Sequence, residues 1–452
     1  MKRLNLLMCV ALAALAVNRC PAADSADTNN PSWLTRPLSL ADALNTALSQ
    51  NATILEAKND LEAQHGVVIQ TRAIALPIVR ATGQYADEEI TLLQEFPGFA
   101  FPLPHQNWNS GVQIVQNVYL GGRMKAAIRA AEATQKQAIA NYETTLSDTL
   151  LTVRIAYYDV LLAAQQITVQ EASVKLLERE LEDQQHRFDA GTVPKFNVLR
   201  AEVAVANERP ALISARNSYR IAKNNLANLL GYNLPRDVWE NIPLNLTDVF
   251  DTSPYAINLP DAIQQALTRR TELTALRRDV ELQDLNIINA KSGYKPTVSV
   301  FAGYNWDNSQ YSTDPRYEFN GWNAGAQATW NIFDGLLTAG KIKQARAQYA
   351  HSKTGLEDEG RQIELQVRTA YSDFLQARET LESQQKVQEE AEEALREAKA
   401  RADAGTGTQL DVLDAQTSLT QARTTQIQAE HDYVTARARF DRAIAADLAP
   451  LK

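Results

Sequence analysis

From Trp322 the chain reads WNAGAQATWNIF, a run in which apolar and polar side chains alternate. Trp322, Ala324, Ala326, Ala328, Trp330 and Ile332 fall on one side of a period of two, and Asn323, Gly325, Gln327, Thr329 and Asn331 on the other. A second run keeps the same parity, with Trp108, Val112, Ile114 and Val118 opposed to Asn109, Gly111, Gln113 and Asn117. Two more runs alternate: Val79, Ala81 and Tyr85 against Arg80, Thr82 and Gln84, then Val298, Val300, Ala302, Tyr304 and Trp306 on one face. The pattern predicts strands over 77–87, 107–119, 297–308 and 321–333. Pro77 and Pro296 end the helical patterns that precede them, over 40–76 and 259–295, because proline has no N–H to continue a helix. Between the paired strands, Glu88–Gln106 and Ser309–Asn320 are too polar or too proline-rich for strands and read as loops.

After each strand pair the period lengthens to that of a helix. Steps of four and three from Ile363 meet Val367, Ala370, Phe374, Ala377, Leu381, Gln384, Gln388, Ala391, Leu395, Ala398 and Ala402. The same steps from Val153 meet Ala156, Val160, Ala163, Ile167, Gln170, Val174, Leu177, Leu181, Gln184 and Phe188. These seams predict long helices over 123–190 and 338–404. Each would be a rod of about 100 Å at about 1.5 Å per residue, longer than a globular domain is wide. The pattern breaks at Gly191–Pro194 and Gly405–Thr408 and resumes over 195–230 and 409–447, so each rod folds back as a hairpin with a glycine-containing tip.

The two patterns are copies. LSLADALNTALSQN from Leu38 returns as INLPDAIQQALTRR from Ile257, and RFDAGT before Val193 returns as RADAGT before Gly407. A period this long is no solenoid, whose units run to about 20–50 residues, so the chain is a duplicated domain: repeat 1 over 40–230 and repeat 2 over 259–447. A linker over 24–39 precedes them, 231–258 joins them, and 448–452 is a tail.

A single alternating strand fits a soluble half-buried sheet better than a membrane one. Four agreeing strands, with Trp322 and Trp330 about 26 Å apart along one face, or about 20 Å once tilted, match the apolar band and aromatic girdles of a membrane barrel. The predicted lipid-facing set is Trp108, Val112, Ile114, Val298, Val300, Tyr304, Trp322, Ala326 and Trp330. Four strands cannot close on themselves, since the smallest barrels have about eight, and an open edge in lipid leaves backbone groups unpaired at several kcal/mol each. Three copies would leave room for water inside. The expected fold is therefore mainly α with membrane β: two strands plus a long antiparallel helical hairpin, duplicated, forming a trimeric 12-stranded β-barrel continued by an α-helical coiled-coil barrel.

Composition and charge narrow the function. The net charge of −9, without a basic stripe, argues against a nucleic-acid partner. Residues 1–23 read as a secretory signal peptide: Lys2 and Arg3, an apolar run from Leu4 to Val17, then small residues at Ala22 and Ala23. Cleavage there would remove both cysteines; Cys20 invites a lipoprotein reading that Asn18 and Arg19 argue against. No later segment is apolar for long enough to span a bilayer as a helix. His65, His105, His186, His351 and His431 lack metal-ligand spacing, and with no phosphate-cradling loop or nucleophile elbow neither a metal, a cofactor nor an enzyme activity is expected.

GTVPKFNVLRAE and GTGTQLDVLDAQ each follow a long helix inside this repeat, and turns at Tyr119–Gly122 and Phe333–Gly335 follow the second strand of each pair. In these features the chain resembles the TolC-type outer-membrane efflux proteins. The resemblance implies a homotrimeric exit duct of the Gram-negative envelope, spanning outer membrane and periplasm. Its partners would be outer-membrane lipid, a periplasmic adaptor (membrane fusion) protein and an inner-membrane pump of the RND, ABC or MFS class. Asp411 and Asp414 match the aspartates of the periplasmic constriction, where a trimer would gather a carboxylate ring able to attract divalent cations. Asp411 reads equally as the cap of its helix. Three positions depart from the family's closing latch: Gly407 stands where relatives carry Arg, Ala402 at the aromatic position, and Asn197 at the matching acid of repeat 1. The tips, with Arg187, Gly191, Thr192, Val193 and Pro194 in one and Arg401, Gly405 and Thr406 in the other, match the adaptor-docking segments, although a glycine also ends a helix without any partner. Two alternatives remain: a soluble periplasmic coiled-coil adaptor or scaffold, and a surface receptor using the Phe96–His105 loop.

Overall fold

The computed structural model describes residues 36–87, 106–232, 242–308 and 318–446. The signal peptide, both cysteines, the Phe96–His105 loop and the tail at 448–452 lie outside them. The elements follow as β1 (Pro37–Leu38), α1 (Leu40–Gln50), α2 (Ala52–Arg72), β2 (Ile78–Asp87), β3 (Gln106–Leu120), α3 (Arg123–Asp189) and α4 (Lys195–Leu229). The second half holds β4 (Asn245–Leu246), α5 (Leu259–Arg269), α6 (Thr271–Lys291), β5 (Thr297–Asn308), β6 (Glu318–Thr329), α7 (Leu337–Asp403) and α8 (Gln409–Ala443). The duplication is carried into length: α3 and α7 each have 67 residues, and α4 and α8 each have 35.

The single helix expected over 40–76 is two, and so is its sister over 259–295. α1 starts in a capping box of Ser39 and Asp42 and stops at Asn51. The Asn51 side chain accepts from Ile54 N at 3.2 Å, beginning α2, and donates to Leu229 O at 2.7 Å, fixing the break against the end of α4. In repeat 2 the break falls at Arg270, whose backbone is non-helical at ψ 126° and whose guanidinium reaches Gln366 Oε1 at 2.9 Å. The linkers also hold structure: β1 and β4 pair in parallel, Pro37 with Asn245 and Leu38 with Leu246.

β2, β3, β5 and β6 form one antiparallel sheet in that order. β6 spans Glu318–Thr329 rather than 321–333. The chain leaves the ladder at Trp330, whose indole Nε1 donates to Tyr294 O at 3.1 Å, so Trp330 sits just past the strand it was expected to close. β3 carries a bulge between Asn117 and Tyr119, which puts Tyr119 opposite Val298 and takes Val118 off the apolar face.

α3 packs on α4, α7 on α8, and α3 on α8, so the helix order across the chain is α4, α3, α8, α7. The seam is buried where the pattern placed it: Val153, Val160, Ile363, Val367, Phe374 and Leu381 are all below a tenth exposed. Phe374 meets Tyr433 at 5.3 Å and Tyr255 at 6.0 Å between ring centres, within repeat 2 and its linker, in a core shared with Val153, Tyr157 and Val160 of repeat 1. Nearer the tips the core thins to Leu395, Val412 and Leu419.

Candidate functional site: hairpin tips and strand face

Each tip is a helix end closed by a left-handed glycine. Gly191 has φ 76° and Gly405 φ 74°, a conformation that costs an L side chain about 1–2 kcal/mol. The orphan carbonyls are taken up locally: Thr192 N and Oγ1 both donate to Arg187 O, at 2.9 and 2.8 Å, and Thr406 N donates to Arg401 O at 2.9 Å. Gly407 N also donates to Arg401 O, at 2.9 Å. A Cβ at Gly407 would stand 3.0 Å from Arg401 Cβ and 3.1 Å from Ala402 N, so a side chain there requires the fold-back to yield by a few tenths of an ångström. Half-buried Val193 and exposed Pro194 form the approach to α4, and Pro194 O accepts from Asn197 N at 3.0 Å.

Two bonds join the tips. Arg187 Nη2 donates to Asp403 Oδ1 at 2.9 Å, while its Nε holds Asp183 Oδ2 at 2.8 Å. Gln409 Nε2 donates to Asn197 O at 3.3 Å. Asp403 and Gln409 were not singled out from the sequence; Asp403 lies within the RADAGT motif, but nothing in one strand of text tells which arginine it faces.

Asp411 is a cap. Thr408 N and Oγ1 donate to its Oδ2 at 2.8 and 2.9 Å, and Asp411 N donates back to Thr408 Oγ1 at 3.3 Å. The backbone N–H and then the hydroxyl of Thr408 hold the Asp411 carboxyl below its ordinary value. The carboxylate is exposed, as is that of Asp414 one helical turn on, while Val412 and Leu413 between them are buried. α8 thus turns Asp411 and Asp414 outward together and Val412 and Leu413 inward.

At the other end of the rods the register sets Val79 and Ala81 beside Ile114 and Val112, these beside Ala302 and Tyr304, and these beside Ala324 and Trp322; on the same face Tyr85 meets Trp108, and Val300 lies between Gln116 and Ala326. Val298 joins that face opposite Ala328. These residues are largely exposed, Trp322 to 80%. The opposite face carries Gln84, Asn109, Gln113, Asn305, Asn323 and Gln327. Glycines there admit neighbouring groups: a Cβ at Gly303 would lie 2.9 Å from Asn323 Oδ1 and from Val112 O. An apolar face exposed at this extent marks an interaction surface rather than ordinary solvent contact.

No helix among the described residues is long and apolar enough to cross a membrane, and no group of His, Cys, Asp and Glu among them is arranged to hold a metal ion.

Comparison with known proteins agrees with this architecture. The chain is 25% identical over 413 residues, 90% of each chain, to the outer membrane protein TolC of Vibrio cholerae. It is 26% identical over 432 residues, 94% of each chain, to the cobalt-zinc-cadmium resistance protein CzcC of Cupriavidus metallidurans. The fold of the Campylobacter jejuni CmeC outer membrane channel matches with a TM-score of 0.77 over 94% of this chain and 93% of that one, at 16% identity. Residues 43–232 and 262–446 each match the outer membrane efflux protein family model, one match per repeat, and the chain belongs to that family.

Proposed function

We propose that three copies of this chain close into one exit duct through which an inner-membrane pump, coupled by a periplasmic adaptor, discharges its cargo across the outer membrane. The observation that carries the reading is the four-stranded sheet, largely apolar on one face and rich in amides on the other, whose edge strands β2 and β6 pair with no further strand among the described residues. In hydrocarbon such a sheet is tenable only when its edges are paired with those of further copies. Trp108, Val112, Ile114, Val298, Val300, Tyr304, Trp322 and Ala326 would face lipid, with Trp330 at the periplasmic margin. The hairpins would continue the barrel as a tube, with the tips from Arg187 to Pro194 and from Arg401 to Thr408 meeting the adaptor. No catalytic step is assigned to it.

Asp411 and Asp414 supply the narrowing. Both carboxylates are exposed on one face of α8, so copies placed about a threefold axis would gather them into a ring that attracts divalent cations. Capping and ring membership are compatible for Asp411, because Thr408 engages Oδ2 only. CzcC is named for cobalt, zinc and cadmium; one copy of this chain offers no described cluster for such an ion, so cargo choice is assigned to the pump. The adaptor or scaffold reading rests on the hairpins alone and leaves the apolar sheet face without a purpose.

Planar-bilayer recording of the purified oligomer tests the proposal. A small conductance blocked by divalent cations is expected, with the block weakened in Asp411→Asn combined with Asp414→Asn. Block unchanged in that variant removes the two residues from the constriction, and recovery of the protein as a water-soluble periplasmic monomer removes the channel.

A further inference from the structure

The two tips meet inside one copy through a directional contact. Arg187, at the end of α3, reaches Asp403 at the end of α7, and Gln409, opening α8, reaches back to the backbone of Asn197 in α4. The repeats are equal in helix length and in register, so every residue of this contact has a counterpart in the other repeat. Arg187 corresponds to Arg401, Asp403 to Asp189, Gln409 to Lys195 and Asn197 to Asp411.

Those counterparts are occupied only within their own helices or lie exposed. Arg401 Nη2 holds Glu397 Oε1 at 2.6 Å one turn away, and Asp189 Oδ1 accepts from Gln185 Nε2 at 3.0 Å one turn away. Arg401 is 65% exposed. Lys195 is exposed as well, and so is Asp411. Each tip therefore uses one flank on its sister and leaves the opposite flank, of matching charge, unengaged by any other hairpin.

Helix order fixes which flank that is. Across one copy the order is α4, α3, α8, α7, in which a long helix of one hairpin meets the return helix of the next. Repeating that order around a ring sets α7 of one copy against α4 of the following copy, which presents Arg401 to Asp189 and Asp411 to Lys195. We propose that the seam between copies at the tips is a rotated copy of the seam within each copy, closed by Arg401 to Asp189 of the neighbouring copy and by Lys195 of that copy to the carbonyl of Asp411, beside its carboxylate. This rests on the trimeric reading above.

The copy is not chemically neutral. The seam within a chain has one ion pair and one amide-to-carbonyl hydrogen bond, whereas the seam between chains has a second cation in place of the amide and a carboxylate in place of Asn197. Exposed ion pairs are individually weak, about 0–1 kcal/mol, and weaken with salt, so both kinds of seam are shallow and salt-sensitive.

Cross-linking of Arg401→Cys combined with Asp189→Cys, by a short bis-maleimide on outer membranes, tests the assignment. A ladder of covalent dimer and trimer is expected. The single variants, which control for Cys9 and Cys20, should give none. Arg187→Cys combined with Asp403→Cys should link within one chain and leave its mass unchanged. A native-gel trimer that yields no ladder from the Arg401/Asp189 pair overturns this inference while leaving the duct intact. Failure to form any oligomer overturns the duct and this seam together. In a second arm, Arg401→Asp and Asp189→Arg should each lower the trimer's melting temperature and together restore it; additive losses count against the pair.

Discussion

Single residues decide how tightly the tips are drawn. Gly407 is folded against Arg401 and Ala402 with backbone atoms as its neighbours, so a methyl group there must push main chain rather than a mobile side chain. Gly407→Ala should cost about 1–3 kcal/mol, read as a lowered melting temperature of the purified protein, with the loss concentrated at the tip in amide exchange. His431 is a second decisive residue, and no local pattern marks it, because its partner on α3 lies far away in the chain. Its Nε2 donates to Asp159 Oδ1 at 2.9 Å and its Nδ1 to Asp432 Oδ1 at 3.1 Å, joining α8 to α3 beside the edge of Phe250. Burial alone would lower its pKa, but the two carboxylates outweigh it and the value is raised. A raised value stabilises the fold fully below the ordinary histidine value of about 6.5 and is lost as pH rises through the folded value. Melting temperature should therefore fall as pH is raised through neutrality, and His431→Asn should flatten that dependence. A flat profile in the unaltered protein would count against the contact.

Among elements, periodicity was readable and punctuation was not. The seam from Ile363 and the alternation from Trp322 reflect many side chains voting together, and burial and strand register follow them. The break at Asn51 had a signal, an asparagine before a new helical turn, and its side chain does cap. The break at Arg270 had none, because its residue is held by a buried network: Arg270 Nε lies 3.0 Å from Glu272 Oε2, and Arg442 bridges Glu272 and Asp148 at 2.7 and 2.8 Å. The β3 bulge and the early end of β6 are likewise tertiary, the latter pinned by Trp330 on Tyr294. Of the tip, the glycines and the Asp411 cap could be read from local sequence, whereas Arg187 with Asp403 joins residues 216 apart and could not. The shared apolar face leads to a test at this scale. Ala326→Arg should destabilise the oligomer by about 2–4 kcal/mol near the bilayer midplane, while Gln327→Arg on the opposite face should be tolerated. Heat-modifiability of the outer-membrane trimer on gels reads the difference, and equal tolerance of both would remove the lipid.

For the whole molecule, equal helix lengths matter as much as any contact. With α3 matching α7 and α4 matching α8 residue for residue, the two tips end at one level, which a tube needs if its mouth is to be flat. The outer strands β2 and β6 have a different implication. Among the described residues each keeps one margin without a strand partner, so in the proposed duct maturation would wait on company. An impaired subunit made alongside an intact one would then enter mixed cylinders and spoil them, and intact cylinders would dwindle far faster than intact subunits do. Co-production of an export-inactive chain that still associates should suppress export beyond its share of the pool. Export declining only in simple proportion would mean that each chain works alone.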